Sequence, residues 1–104
     1  MNINERLSEA MLFLSETDEE YAELRTKTER LELKAKAVRS MVFLHESGNN
    51  EERKAKADTH QSYLTALEEY LAAKQESEAL GNKRETQDRA IDVLRTIESS
   101  RRKA

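Results

Sequence analysis

The sequence predicts an all-α fold, a long antiparallel helical hairpin, and three observations predict it. None of the 104 residues is proline, so no position forbids helix. Apolar side chains recur at alternating three- and four-residue steps from Leu7 to His45, the period at which helices pack side by side. The strongest break, Ser47-Gly48-Asn49-Asn50, falls near the middle of the chain.

The first helix is expected over about 3–46. Its seam reads Leu7, Ala10, Leu14, Thr17, Tyr21, Leu24, Thr28, Leu31, Ala35, Val38, Val42, His45. At about 1.5 Å per residue such a helix is about 65 Å long. Thr17 and Glu20 have capping-box spacing and mark a candidate break, but the seam passes through Thr17 in phase. Gly48 suits the left-handed conformation that ends a helix, and Asn49 or Asn50 can cap the next. Glu51 and Glu52 follow where carboxylates favour the helix dipole. The second helix is expected over about 50–102. Its seam, Tyr63, Ala66, Tyr70, Ala73, Ser77, Leu80, Arg84, Gln87, Ile91, Leu94, stays in phase across the weaker candidate break at Gly81-Asn82. A helical glycine costs only about 1 kcal/mol relative to alanine, which favours one continuous helix there.

Length predicts a single domain over 1–104. Charged residues make up 38%, aromatic residues 5%, and net charge is −3, so no global imbalance points to nucleic acid or acidic lipid. The absence of cysteine excludes disulfides, thiolate metal sites and thiol nucleophiles. The N-terminus lacks the basic and apolar regions of a secretory signal. The longest apolar runs, Met11-Leu12-Phe13-Leu14 and Met41-Val42-Phe43-Leu44, are far too short to span a membrane. A cytoplasmic protein is expected.

Folding the chain at Gly48 sets Met41–Leu44 against Ala55–Glu52 and Met11–Leu14 against Glu85–Asn82. Polar partners cannot cover helix segments that are apolar on every side. Both tetrapeptides (Met11, Leu12, Phe13, Leu14, Met41, Val42, Phe43, Leu44) are therefore the expected interfaces of a homo-oligomer, and a head-to-tail contact between unlike patches can close into a ring. The competing arrangement is a compact three- or four-helix monomer.

Charge is segregated. Residues 1–24 hold one arginine against seven acids, whereas 25–39 hold Arg25, Lys27, Arg30, Lys34, Lys36 and Arg39 against Glu29 and Glu32. Lys27, Arg30 and Lys34 recur at helical spacing, as do Lys36 and Arg39. These five are the candidate nucleic-acid-binding residues, a stripe of cations along a phosphate backbone. The competing reading is that they face acids of the partner helix, near Glu68 and Glu69, and set register. Tyr21, Tyr63 and Tyr70 lie on seams and read as core rather than base-stacking platforms. His45 and His60 form no local ligand pair, and neither a Gly-rich phosphate loop nor a nucleophile elbow exists. The chain reads as a non-enzyme without metal or cofactor.

The stretch Leu33-Lys34-Ala35-Lys36, followed by an apolar run ending at Ser47-Gly48, resembles the basic helix and turn of the UvsY-type recombination mediators of T-even phages. Glu52-Arg53-Lys54-Ala55-Lys56-Ala57-Asp58 and the long helix to Arg95 keep a similar layout. The tail Asp92-Val93-Leu94-Arg95-Thr96-Ile97 with Ser100-Arg101-Arg102-Lys103 is similar to small helical proteins encoded beside phage recombination genes. The likeness covers about residues 21–103 by layout and short segments by residue. It implies an all-helical, ring-forming oligomer that binds single-stranded DNA in the host cytoplasm and helps load a recombinase onto strands covered by single-strand-binding protein. It also implies phosphate contacts by Lys34 and Lys36. Lys36 stands where the family has arginine, and an ammonium cannot grip phosphate in the bidentate way a guanidinium does; Arg39 lies one turn on. The acidic N-terminal third departs from the family pattern. The expected function is thus a homo-oligomeric single-stranded-DNA-binding recombination accessory. The alternative is a helical adaptor that binds no nucleic acid.

Overall fold

The computed structural model describes residues 1–103, and they are all-helical: α1 (Ile3–His45), α2 (Asn50–Thr59) and α3 (Gln61–Lys103). The expected antiparallel hairpin is present. α1 runs unbroken through Thr17 and α3 through Gly81, while the second helix carries a division at His60 that the periodicity does not announce.

Local chemistry explains each boundary. Asn2 opens α1 with a capping box: its Oδ1 accepts the Glu5 N–H at 2.8 Å and its Nδ2 donates to Glu5 Oε1 at 3.1 Å. Asn49 repeats the motif for α2, with both bonds to Glu52 at 2.9 Å. Between them Gly48 takes φ +112°, a conformation that side chains resist. Thr17 does not cap, because its hydroxyl donates to the Phe13 carbonyl one turn back at 2.7 Å. Gly81 does not break α3, because the Tyr21 ring lies against it. A Cβ at 81 would stand 3.0 Å from the Tyr21 hydroxyl.

His60 is extended (φ −70°, ψ 136°). Its Nδ1 accepts the Ser62 N–H at 3.1 Å, and its carbonyl accepts the Leu64 N–H at 3.0 Å. An imidazole thus serves as the N-cap of α3, satisfying one of the donors a helix start leaves open. A plain mirror about Gly48 sets Glu69 against Lys27, but Glu69 binds Lys34, one heptad further along α1.

The chain divides into two compact units. In the first, α1 up to Ala22 packs against α3 from Glu78 onward. Ala10 and Ile91 are buried, and Leu7, Leu14, Tyr21, Leu80 and Leu94 are half-buried. A polar cluster fills the rest of its seam. Arg84 Nη1 donates to the Leu14 carbonyl at 2.8 Å and to Thr17 Oγ1 at 2.7 Å, and its Nη2 meets Asp18 at 3.1 Å. The guanidinium lies over the Tyr21 ring at 5.3 Å, while Arg6 donates to Gln87 at 3.0 Å.

The second unit, Glu23–Ser77, has a mostly apolar seam, interrupted by the half-buried Thr28 and the buried Ser77. Leu24, Leu31, Ala35, Val38 and Val42 of α1 are buried or half-buried, as are Ala57 of α2 and Tyr63, Ala66, Leu67, Tyr70 and Ala73 of α3. At its closed end Arg53 donates to the Phe43 carbonyl at 3.1 Å and stacks 4.3 Å from that ring. It thereby satisfies one of the carbonyls that α1 leaves open at its C-terminus.

The α1 seam is buried or half-buried at every expected position except His45. The most buried residues are nonetheless small (Ala10, Ala35, Ala57, Ala66, Ala73), and among the described residues no large side chain is fully buried. Each tetrapeptide keeps two side chains in solvent: Met11 and Leu12 in the first, Met41 (59% exposed) and Leu44 (69%) in the second. Among the described residues no helix is long and apolar enough to cross a membrane.

Candidate nucleic-acid interface

All five candidate cations project from α1 within the second unit, but not as one site. At about 100° per residue, Lys27, Arg30 and Lys34 fall within about 60° of one another on one flank of the seam. Lys36 and Arg39 fall on the opposite flank. The partners agree with this division. Lys34 Nζ meets Glu69 Oε2 on α3 at 3.2 Å. On the other flank Lys36 meets Glu32, one turn back, at 2.9 Å, and Arg39 meets Asp58 of α2 at 2.6 Å. Lys27 and Arg30 are exposed and have no ion-pair or hydrogen-bond partner among the described residues.

These pairs leave an electrostatic imprint. Hydrogen bonding and attraction from Lys36 hold the Glu32 carboxyl below its ordinary value, with smaller help from Tyr70 and Lys74. Glu32 in turn raises Lys36, and Asp58 raises Arg39. Every one of these ion pairs stands in water, where such pairs contribute little. A phosphate can therefore displace the carboxylate without leaving a buried charge behind.

The aromatic side chains supply no stacking platform beside the cations. Tyr21, Tyr63 and Tyr70 are half-buried, and Phe43 carries Arg53 on its face. Two open clefts of about 390 Å³ each border the closed end of the second unit. Val38, Met41, Val42, His45, Glu46, His60 and Ser62 line one; Arg39, Ser40, Phe43, Leu44 and Lys54 line the other. The first brings together the two histidines that sequence spacing keeps apart. Even so, no three His, Asp or Glu side chains among the described residues are placed to hold a metal ion.

Sequence reasoning misses two features of this region. His60 is a cap, and the residue type gives no conventional signal for one. Leu33 is 66% exposed on the outer side of α1, and its spacing to Ala37 and Met41 is the signal that could have found it. Compared with protein-family models, curated proteins and solved structures, the chain matches none.

Proposed function

We propose that the chain is a self-associating helical protein that binds single-stranded DNA along the Lys27–Arg30–Lys34 flank of α1. The observation that carries this reading is the exposure of Lys27 and Arg30 without counter-charges, beside a third cation whose partner is an exposed carboxylate. Spacings of three and four residues set the cations roughly 4.5 and 6 Å apart along the helix, a row that can follow a sugar–phosphate strand. With few aromatics at hand, binding is electrostatic and largely indifferent to sequence. Self-association is supported by the exposed Met11, Leu12, Met41 and Leu44 and by the lack, among the described residues, of any fully buried large side chain. The resemblance to phage recombination mediators extends the reading to a role beside a recombinase and a single-strand-binding protein.

Fluorescence anisotropy with a labelled oligonucleotide across a salt series tests the assignment. Lys27→Ala with Arg30→Ala is expected to weaken binding and reduce the log–log salt slope by about 1.4, roughly 0.7 for each phosphate no longer neutralised. Lys34→Ala with Lys36→Ala should have a smaller effect, because those cations are already paired. A salt profile unchanged by the Lys27/Arg30 variant removes DNA from this flank.

The ion pairs of Lys34, Lys36 and Arg39 favour a second reading, a helical adaptor whose cations serve only its own register. That protein would produce no change in oligonucleotide anisotropy even at low salt.

A further inference from the structure

The outer side of α1 carries a second apolar row. Leu33, Ala37, Met41 and Leu44 follow at steps of four, four and three residues. At about 100° per residue they gather on the side turned away from the seam of Leu31, Ala35, Val38 and Val42. All four are exposed, the three large ones by more than half. Single exposed apolar side chains are ordinary. A row at helical spacing, in a chain that among the described residues fully buries no large side chain, is a surface waiting for a partner.

We propose that this row joins two copies of the chain, laid antiparallel about a two-fold axis near the middle of the row. The proposal rests on the self-association in the functional reading above and gives it a location and a geometry. Shape favours a second copy. In the antiparallel arrangement Leu33 stands opposite Leu44, and Met41 stands opposite Ala37, so a large side chain enters the space left by a small one. The two-fold repeats both contacts, as an isologous interface requires.

Charge favours the same arrangement. Arg30 and Lys34 lie toward the N-terminal end of the row. Parallel copies would set these cations against their own duplicates, which repel. Antiparallel copies keep each of them about 13 Å or more along the axis from its duplicate. Lys27 and Arg30 then lie opposite positions beyond the end of the partner's α1, whereas Lys34 lies within the length of the contact.

The natural absence of cysteine makes introduced thiols unambiguous probes. Ala37→Cys chains mixed with Met41→Cys chains are expected to form the mixed disulfide on mild oxidation. Leu33→Cys chains are expected not to link to one another. In the antiparallel pair their positions are eleven residues apart along the axes, about 16 Å, and a disulfide needs Cα atoms within about 7 Å. Efficient Leu33→Cys self-linking overturns the antiparallel arrangement. In sedimentation equilibrium, Met41→Glu should lower the mass at least twofold while far-UV circular dichroism keeps its helix signal. An unchanged mass overturns this row as the interface but leaves self-association standing. A monomeric wild-type chain removes both.

Discussion

The two units use the same helices in different ways. In the first, Arg84, Thr17, Gln87 and Arg6 occupy or border the seam and are satisfied by directional hydrogen bonds. In the second, the corresponding positions are Leu24, Leu31, Ala35, Val38, Ala66, Leu67 and Ala73, and the charges pair only at the edges. Apolar contact is non-directional and tolerates a slide of one helix past the other. A guanidinium bound to a backbone carbonyl, a hydroxyl and a carboxylate does not. The first unit therefore fixes which residues meet, and the second supplies more of the apolar burial that holds the pair together.

The largest expected effect tests the apolar half. Ala35 is 4% exposed, and Ala35→Glu places a charge where the seam offers no partner. A destabilisation of about 3 kcal/mol is expected, read as a drop in denaturant midpoint. Hydrogen exchange should show the effect in peptides from 23–77. Equal deprotection across the whole chain would mean that the two units unfold as one. A somewhat smaller effect tests the polar half. Arg84→Ala removes three charge-assisted hydrogen bonds and a cation–π interaction, a destabilisation of about 2 kcal/mol. It should appear in peptides from 1–22 and 78–103. If exchange there is unchanged, Arg84 does not fix the register.

The smallest effect sharpens the account of the edges. The folded-state value of Glu32 is depressed, so its contribution is present at neutral pH and disappears as the pH falls through that lowered value. An acid titration of the thermal midpoint in low salt should therefore be shallower for Glu32→Gln than for the parent chain below the ordinary carboxylate range. High salt should erase the difference, because the pair is exposed.

Much of the fold is legible in the sequence because its determinants are local. The absence of proline, the seam from Leu7, the turn at Gly48 and the Asn49 cap all act within a few residues. Gly81 reads as a candidate break because the Tyr21 ring that occupies its missing Cβ lies 60 residues away in sequence. His60 is illegible for another reason. An imidazole accepting a backbone N–H through Nδ1 does the work usually given to Asn or Ser, and neither glycine nor proline stands nearby. The candidate site is partly legible. Its five cations can be read off the chain, and helical arithmetic alone puts them on two flanks. The Lys36–Glu32 pair is legible too, one turn apart on one helix, and Glu69 is an expected partner; which cation it takes, Lys34 rather than Lys27, depends on how the two helices lie against each other.

Register between two helices works like a vernier. With the mirror register, Glu69 would lie against Lys27; with the displaced one, it neutralises Lys34 and leaves Lys27 bare. The offset of one helix against the other thus sets the electrostatic pattern of a surface. A residue inserted between α1 and α3 would redistribute exposed positive charge without altering one lysine or arginine.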